Sequence, residues 1–450
     1  MNKNLTDILV DDLFDLTNEA IPEAVLLQTK TCLLDFLGVA LAGESLAGEK
    51  CKRYLDFFDS KQSEATVIGY NRKVSLHNAA FVNGYNAHIA ELDDGHRYCN
   101  VHLGATVIPA VLAVAEYENL EWGDLLRGVV IGYEAAIRLG RAIQPSHKNL
   151  GFHVSGTCGT IGAAMGISAA LKFSKAQMKD SLSAAAASAA GLLEVIDDDS
   201  ELKPFNIGRA SLDGLTAAYV GRSGIKGPND IVGGKRGFFA LMSETNDPNS
   251  LNRDPNGIYG IEMIYRKPYA ACRHCHAPIE AAINLKEKFN IISSDIEEIN
   301  VSTYLLAVKG HDHINIQGIT SAKMSIPYSV AVAFETGKAG LNEFLPEYID
   351  NKKISALTKK VKVIEDNELS ALVPEKRAAV VEIITKSGKS YIERADYPKG
   401  EPENPMSVGD VEQKFISMAT YAGKTETEAK GMIQKFWNIE NDCSGLFDML

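Results

Sequence analysis

Apolar residues recur at every third or fourth position along the chain from the N-terminus to about Tyr265. This spacing places them on one face of an α-helix and predicts a mainly helical first part. We predict helices at Thr6–Leu16, Ile21–Leu41, Val107–Tyr117, Trp122–Leu139, Gly159–Leu171 and Asp180–Val195. The last two are rich in Ala, Gly and Ser, so we expect them to form a crowded central pair. Only Glu64–Gly69 reads as a strand in this part of the chain.

Beyond Tyr265 the pattern changes to alternating apolar and polar residues, which is typical of strands. Strands are predicted within Ile296–Lys309 and Ala379–Ala395, the second as a hairpin around Lys386-Ser-Gly-Lys389. Helices are predicted at Pro278–Phe289, Pro327–Thr336, Val408–Tyr421 (capped by Ser407) and Thr425–Trp437. We therefore predict a mainly α protein with an inserted α+β domain. The all-helical domain is discontinuous, at residues 1–265 and 403–450, and the α+β domain spans residues 266–402.

Composition and charge narrow the classes of partner. The 450 residues are 45% hydrophobic and 23% charged, with a net charge of −12. Such an acidic chain does not offer the basic surface that nucleic acids or anionic membranes require. No stretch reads as long and apolar enough to span a membrane. The polar N-terminus and an odd number of cysteines, seven, predict reduced thiols and a cytoplasmic location.

Two segments combine groups that suit acid–base chemistry and anion binding. Glu91-Leu-Asp-Asp through His102 places carboxylates beside a histidine that precedes a helix, which suits proton transfer. The same segment could be an acidic, solvated loop. Lys203-Pro-Phe-Asn-Ile-Gly-Arg209 brackets an apolar turn with cations. These cations could bind a carboxylate, or could be ordinary surface charges.

Two further segments could be mistaken for metal or nucleotide sites. Lys267-Pro-Tyr-Ala-Ala-Cys-Arg-His-Cys-His276 resembles a set of zinc ligands, but its crowded candidates need a ligand pair from elsewhere, and its cations would repel a metal. We therefore expect no metal there. Gly151-Phe-His-Val-Ser-Gly-Thr-Cys-Gly159 lacks a preceding strand and a Walker lysine. It fits a helix start that exposes His153 to a pocket better than a phosphate loop.

These segments, in this order, resemble the MmgE/PrpD family, which includes 2-methylcitrate dehydratases, cis-aconitate decarboxylases and an iminodisuccinate epimerase. Further matching segments are Gly214-Leu-Thr-Ala-Ala, Gly224-Ile-Lys-Gly-Pro228, Ala322-Lys-Met-Ser-Ile-Pro-Tyr328 and Asn404-Pro-Met-Ser407. The resemblance implies a large all-helical domain, a smaller α+β lid domain and a homodimer. It also implies a reaction without a metal or an organic cofactor.

The resemblance assigns roles to particular residues. The family's site positions carry over to Glu91, His102, Lys203 and Lys267, and Asp93 and His153 lie in matching segments. We count Asp93 with the catalytic residues, and we expect His153, Cys272 and Arg273 to bind the substrate. We expect His102 to be the general acid or base, oriented by Asp93 or Glu91, and the cations to hold substrate carboxylates.

The expected reaction starts with removal of a proton next to a carboxylate of a small anionic polycarboxylate. A dehydratase acting on 2-methylcitrate or a related tricarboxylate is the first hypothesis. An epimerase of a dicarboxylate such as iminodisuccinate, a cis-aconitate-type decarboxylase and a non-catalytic carboxylate-binding protein are the alternatives. Three residues depart from the family pattern: Gly95 replaces a Thr, Leu103 replaces a Pro, and Cys272 stands where the decarboxylases have a His. The last departure argues against decarboxylation.

Overall fold

The chain is mainly helical with a smaller α+β part, which confirms the predicted fold class. The computed structural model describes residues 3–58, 62–196 and 200–450. These residues form two compact units. The first consists of the described residues of Met1–Asp197, Glu201–Ile264 and Ser407–Leu450, and the second consists mainly of Tyr265–Met406.

The first unit is built from helices and one short antiparallel hairpin. The hairpin pairs β1 (Ala65–Val67) with β2 (Arg72–Val74). The helices are α1 (Leu5–Asn18), α2 (Glu23–Phe57), α3 (Leu76–Ile89), α4 (Leu103–Tyr117), α5 (Trp122–Ile143), α6 (Ser146–Asn149), α7 (Val154–Ala170), α8 (Lys175–Ser188), α9 (Lys203–Arg222), α10 (Phe238–Met242), and, after the second unit, α18 (Val408–Tyr421), α19 (Glu426–Trp437) and α20 (Ser444–Phe447).

Helix α7 is buried along its whole length at the centre of this unit. It packs against α8, as the sequence suggested, and it also meets α5 backbone to backbone. A Cβ added to Gly132 of α5 would lie 2.8 Å from the backbone oxygen of Gly162, and one added to Gly166 would lie 2.8 Å from the backbone oxygen of Gly128. The two backbones therefore meet along a glycine seam. The small residues correctly indicated close packing, but the sequence did not predict that α5 lies as close to α7, because composition alone does not pair helices.

Helix α2 is the longest element of the chain, with 35 residues. Among the described residues it is the one helix long and apolar enough to cross a membrane by length and composition, a window that the sequence reading missed. However, 72% of that window is buried inside the fold, as in a core helix. Gly38 of α2 packs against Phe415 of α18, which lies on the C-terminal side of the second unit in sequence. The absence of a membrane partner stays a prediction.

The second unit consists of helices and a four-stranded β-sheet. The strands are β3 (Ile296–Thr303), β4 (Val361–Glu365), β5 (Ala379–Thr385) and β6 (Ser390–Ala395), in the order β4-β3-β5-β6. Strand β3 runs parallel to β4 and antiparallel to β5, and β5 and β6 form the predicted hairpin. The helices are α11 (His276–Phe289), α12 (Leu305–Val308), α13 (Ile319–Met324), α14 (Ile326–Thr336), α15 (Pro346–Ile349), α16 (Lys352–Thr358) and α17 (Asn367–Ala371).

Two helices that carry site residues, α3 and α9, were missed by the sequence analysis. Most residues of α3 are buried, including Asn83, Gly84 and Asn86, so no polar stripe marks one face. Helix α9 contains three glycines. A Cβ added to one of them, Gly214, would lie 2.6 Å from the Thr160 backbone oxygen, so this helix packs closely against α7. Burial on most sides of α3 removes the periodic pattern that reveals a helix with one exposed face. Helix α9 has an exposed stripe, but small and polar residues fill its buried face, so no apolar stripe marks it.

Candidate active site: a histidine cluster in the first unit

The first unit brings together three histidines, two carboxylates and a lysine, here called the histidine cluster: His88, Glu91, Asp93, His102, His153 and Lys203. Asp93 links two of the histidines. Its Oδ2 atom lies 2.8 Å from Nδ1 of His88 and 3.1 Å from Nδ1 of His102. The rings of these histidines also meet edge to face, with centroids 4.6 Å apart. Five of the six residues were predicted from the sequence, and the structure places them in one region.

The orientation of His102 is fixed by a backbone group. Its Nδ1 atom lies 3.0 Å from the carbonyl oxygen of Asp94, and a carbonyl oxygen can only accept a hydrogen bond. Nδ1 must therefore carry the proton, which it shares between this oxygen and Asp93. The neutral ring then has its lone pair on Nε2, the form that a general base requires. His102 is partly exposed.

His153 has the opposite tautomer. The Nδ2 atom of Asn206 lies 3.2 Å from the Leu192 carbonyl oxygen and 3.2 Å from Nδ1 of His153. The contact with the carbonyl identifies this amide atom as the nitrogen, which can only donate, so Nδ1 of His153 accepts and Nε2 carries the proton. Burial, with Lys203 nearby, lowers the pKa of His153 well below its ordinary value. His153 is therefore a neutral ring that can donate a hydrogen bond.

His88 and Asn206 were not predicted as site residues. His88 lies three residues before Glu91, at the end of α3, and is completely buried. Burial lowers its pKa from 6.5 to about 4 despite the nearby Asp93 carboxylate, so the ring is neutral at pH 7. Asn206 follows Lys203 by three residues and so lies on the same side of α9. This helical spacing could have revealed Asn206, but α9 itself was not recognised.

Lys203 is the cation of the cluster. Its ammonium group forms a salt bridge with the Glu91 carboxylate, and both side chains are mostly buried. Glu91 has a φ of +57°, a left-handed conformation that is uncommon for a residue with a side chain. Such conformations persist where the surrounding structure enforces them and cluster at functional sites. Because Lys203 is mostly buried in an ion pair, the surface-charge interpretation is wrong for Lys203, whereas it is correct for the exposed Arg209.

Three helices begin at this cluster. His102 is the residue before α4, His153 is the residue before α7, and Lys203 is the first residue of α9. The three starts are connected, because the His102 backbone N–H donates to Ser155 of α7 at 3.0 Å and His153 accepts from Asn206 of α9. Helix N-termini carry partial positive charge and favour anions. The cluster therefore suits a substrate with carboxylate groups.

Asp94 supports the cluster from the buried side. Its carboxylate accepts hydrogen bonds from the Gly104 backbone N–H at 2.7 Å and the Tyr133 hydroxyl at 2.7 Å. Burial nevertheless raises the pKa of Asp94 from 3.8 to about 6. These bonds hold the segment that presents the Asp94 carbonyl to His102, so the Asp94 side chain positions the base indirectly.

The remaining predicted residues belong to the second unit. Lys267 is fully buried, and Cys272 is partly exposed. Arg273 is buried in an ion pair with Glu401, with its Nε atom 3.1 Å from Oε1, and its guanidinium lies over the ring of Tyr265. Much of the Arg273 charge is thus balanced within this unit. The roles of Lys267, Cys272 and Arg273 towards substrate stay predictions.

Two groups of residues have the spacing of metal ligands among the parts of the chain that the structure describes. One is His88, Asp93 and His102, whose facing atoms we assign to hydrogen bonds because Nδ1 of His102 also donates to a carbonyl oxygen. The other is Cys272, His274 and His311. The sequence left His311-Asp-His313 as the one other candidate for ligands, and the structure brings His311, but not a pair, to Cys272 and His274. The expectation that no metal binds there stays a prediction.

The cluster can perform proton abstraction beside a bound anion. His102 offers a lone pair, His153 offers an N–H group, and three helix starts offer partial positive charge. The Lys203 ammonium is paired with Glu91 and becomes available to a substrate when that ion pair opens. Removing a proton next to a carboxylate places a second negative charge on that group. Preorganised donors and cations stabilise such charge in a buried site more strongly than water does. The solvated-loop interpretation of the Glu91–His102 segment is wrong, since Glu91, Asp93 and Asp94 are buried.

Comparison with known proteins gives matches along most of the chain. The family model described as MmgE/PrpD N-terminal domain matches residues 9–251, and that described as MmgE/PrpD C-terminal domain matches residues 269–439. The chain is 25% identical over 434 residues to the cis-aconitate decarboxylase of Aspergillus terreus, covering 90% of this chain and 87% of that protein. It is 24% identical over 472 residues to the cis-aconitate decarboxylase of Homo sapiens, covering 100% and 95%. It is 24% identical over 425 residues to the mitochondrial 2-methylcitrate dehydratase of Yarrowia lipolytica, covering 88% and 80%.

Proposed function

Because the chain belongs to the MmgE/PrpD family, we propose that it is a lyase that dehydrates a small polycarboxylate such as 2-methylcitrate. The observation that carries the proposal is the pair of opposite tautomers at His102 and His153. The reaction needs a base with a lone pair, which His102 supplies, and a hydrogen-bond donor, which His153 supplies. The 2-methylcitrate dehydratase among the relatives supports this reaction class.

In the proposed reaction, Nε2 of His102 removes the proton from the carbon next to a substrate carboxylate. The electron pair moves into that carboxylate and then forms the carbon–carbon double bond as the hydroxyl group leaves the neighbouring carbon. The proton taken by His102 leaves with the hydroxide as water, so no further proton is consumed. A positioned base of this kind contributes about 10²- to 10⁴-fold to the rate.

Lys203 and the helix starts bind the substrate carboxylates in this proposal. A substrate carboxylate replaces the Glu91 carboxylate as the ion-pair partner of the Lys203 ammonium group. His153 donates from Nε2 to a substrate oxygen, and Asn206 holds its ring. Because Asp93 binds the Nδ1 protons of both His88 and His102, it stabilises the positive charge that His102 acquires.

Decarboxylation of a cis-aconitate-type substrate is the second candidate. It is favoured by relatives with that printed activity, which align with up to 100% of this chain. It is opposed by Cys272, which stands where the decarboxylases of the family have a histidine.

We also propose that the protein is a cytoplasmic homodimer and acts without a catalytic metal. The family resemblance suggests the homodimer and the metal-free reaction, and the thiol content suggests the location.

The experiment incubates the purified protein with 2-methylcitrate, citrate, cis-aconitate and iminodisuccinate in deuterated water and follows each by NMR. A new alkene signal from a hydroxy acid is the expected result. Release of carbon dioxide from cis-aconitate would replace the dehydratase with the decarboxylase. Deuterium incorporation without a net product would identify an epimerase. Saturable binding of these acids without any conversion would leave a carboxylate-binding protein.

A further inference from the structure

A buried lysine outside the histidine cluster contacts the loop that carries two of its carboxylates. Lys414 lies in α18 and is mostly buried. Its Nζ atom donates a hydrogen bond of 2.6 Å to the backbone carbonyl oxygen of Leu92, the residue before Asp93. We propose that Lys414 is a positioning residue, which holds this carbonyl so that Asp93 stays bound to both His88 and His102.

The contact acts on Asp93 through the peptide bond. The carbonyl of Leu92 and the N–H of Asp93 belong to one planar unit, which also includes the Cα atom of Asp93. Fixing the oxygen therefore restricts the position of that Cα atom. Glu91, just before this unit, has a φ of +57° in the left-handed region. Contacts from elsewhere in the fold keep a chain in such a conformation, and Lys414 supplies one.

Lys414 is itself held by a buried carboxylate. Its Nζ atom lies 2.7 Å from Oδ1 of Asp35 in α2, and both side chains are buried. Helices α2 and α18 approach closely at this point, because a Cβ added to Gly38 would lie 3.2 Å from the Cα atom of Phe415. The ammonium group therefore has little freedom to move away from the Leu92 oxygen.

A role in stability alone does not account for a lysine at this position. Replacing a buried ion pair by well-packed apolar residues is often neutral or stabilising. An apolar residue could not donate to the Leu92 oxygen or offset the negative charge of Asp35. This charge reaches the loop, since burial together with the Asp93 and Asp35 carboxylates raises the pKa of Asp94. Lys414 thus serves the loop in two ways that packing cannot replace.

The expected effect on turnover rests on the proposed function, in which Nε2 of His102 is the base. Asp93 stabilises the positive charge that His102 acquires, so a displaced Asp93 weakens the base. A misplacement of about 1 Å can lower a rate by about 10²-fold. Because Lys414 acts through Asp93 and not on the substrate, its loss should lower kcat and leave KM near its normal value.

Two variants test this effect. Lys414→Met removes the donor, and Lys414→Met with Asp35→Asn also removes the carboxylate that would otherwise stay buried without its partner. We expect both to lower kcat by about 10- to 10²-fold. Met418→Ala is the matched control, because Met418 lies one turn further along α18 and its Cβ faces Gly38. It should keep a normal kcat, and a normal kcat in the double variant would exclude the proposed role of Lys414.

NMR of the resting protein separates this inference from the proposed reaction. In protein labelled with nitrogen-15 at histidine, the ring nitrogens of His102 report which of them carries the proton, and His102→Ala identifies their signals. The double variant should move the Nδ1 signal of His102, and Met418→Ala should leave it in place. If the unaltered protein dehydrates none of the acids, this measurement still decides whether Lys414 holds the loop. An unmoved Nδ1 signal in the double variant would overturn the proposal.

Discussion

The Nδ1 atom of His102 donates a hydrogen bond to the backbone carbonyl oxygen of Asp94, eight residues earlier in the chain. The acceptor is a backbone oxygen, so the tautomer of His102 persists even when neighbouring carboxylates change their protonation. The lone pair on Nε2 is therefore a property of the backbone path between α3 and α4. The fold thus leaves Nε2 of His102 as the atom that can accept a proton.

Replacing His102 by alanine removes the proposed base. We expect kcat to fall by about 10²- to 10⁴-fold while the fold is kept, because His102 is partly exposed and caps α4 through backbone groups. His77→Ala is the matched control, since His77 lies exposed on α3. Turnover with the substrate found by NMR, together with circular dichroism, checks both variants. Near-normal turnover of the His102 variant would remove His102 from the mechanism.

Replacing Lys203 by methionine removes the cation and leaves Glu91 without its salt-bridge partner. We expect KM for the polycarboxylate to rise and kcat to fall, because charge develops on the carboxylate that Lys203 binds. The double variant Lys203→Met with Glu91→Gln should recover stability but not activity. Steady-state kinetics and urea unfolding distinguish the two effects. Recovery of activity in the double variant would show that Lys203 serves only to neutralise Glu91.

The change Asn206→Asp replaces the donor that faces Nδ1 of His153 with an acceptor. The ring should then place its proton on Nδ1 and lose the Nε2–H donor. Loss of one hydrogen bond worth about 1.4 kcal/mol in the transition state lowers kcat/KM roughly tenfold. The new carboxylate should also shift the pH profile of kcat/KM, which Asn206→Ala should leave in place. Equal rates and identical pH profiles for the two variants would contradict the assigned tautomer.

Asp94 predicts a pH dependence of stability. Its pKa is raised from 3.8 to about 6 in the folded protein, so folding favours the protonated form. The stability that this group contributes is complete below pH 3.8 and is lost as the pH rises through about 6. Asp94→Asn should therefore be more stable than the unaltered protein at pH 8, by up to about 3 kcal/mol, with little difference near pH 4. Urea unfolding at both pH values measures the difference, and a gap that does not change with pH would refute it.

The glycine seam predicts a strong contrast within α5. A Cβ on Gly132 would lie 2.5 Å from Val107 and 2.8 Å from the Gly162 oxygen, whereas a Cβ on Gly123 meets nothing within 4 Å. We expect Gly132→Ala to destabilise the fold by about 1 to 3 kcal/mol, as overpacking does. Gly123→Ala should be neutral or stabilise by up to about 1 kcal/mol, since alanine favours helix. Equal unfolding midpoints for the two variants would show that the seam relaxes freely.

The sequence predicted most elements whose pattern has one exposed face. The helix of α18 was predicted at Val408–Tyr421, and the structure has those bounds with Ser407 and Asp410 in a capping box. The β5–β6 hairpin was predicted from its alternating residues and its central turn. Helix α3 was missed because burial on most sides removes the amphipathic pattern, and α9 was missed because its buried face is made largely of small and polar residues. Strand β4 was missed because it is a short edge strand.

The sequence predicted those parts of the candidate site whose residues lie close together along the chain. Glu91, Asp93 and His102 lie within one loop, so their spacing suggested proton transfer. The contact between Asp93 and His88 depends on the end of α3, and the contact between His153 and Asn206 joins two different helices. The grouping of His311 with Cys272 depends on the path of the chain through β3 and α12. Such contacts are set by tertiary packing and leave no short motif.

All of the histidine cluster comes from the stretch between His88 and Lys203, inside the part matched by the N-terminal family model. Substitutions outside this stretch therefore leave the identity of the proposed base and of its hydrogen-bond partners unchanged. A change of substrate specificity through residues elsewhere in the chain would then not require a new base.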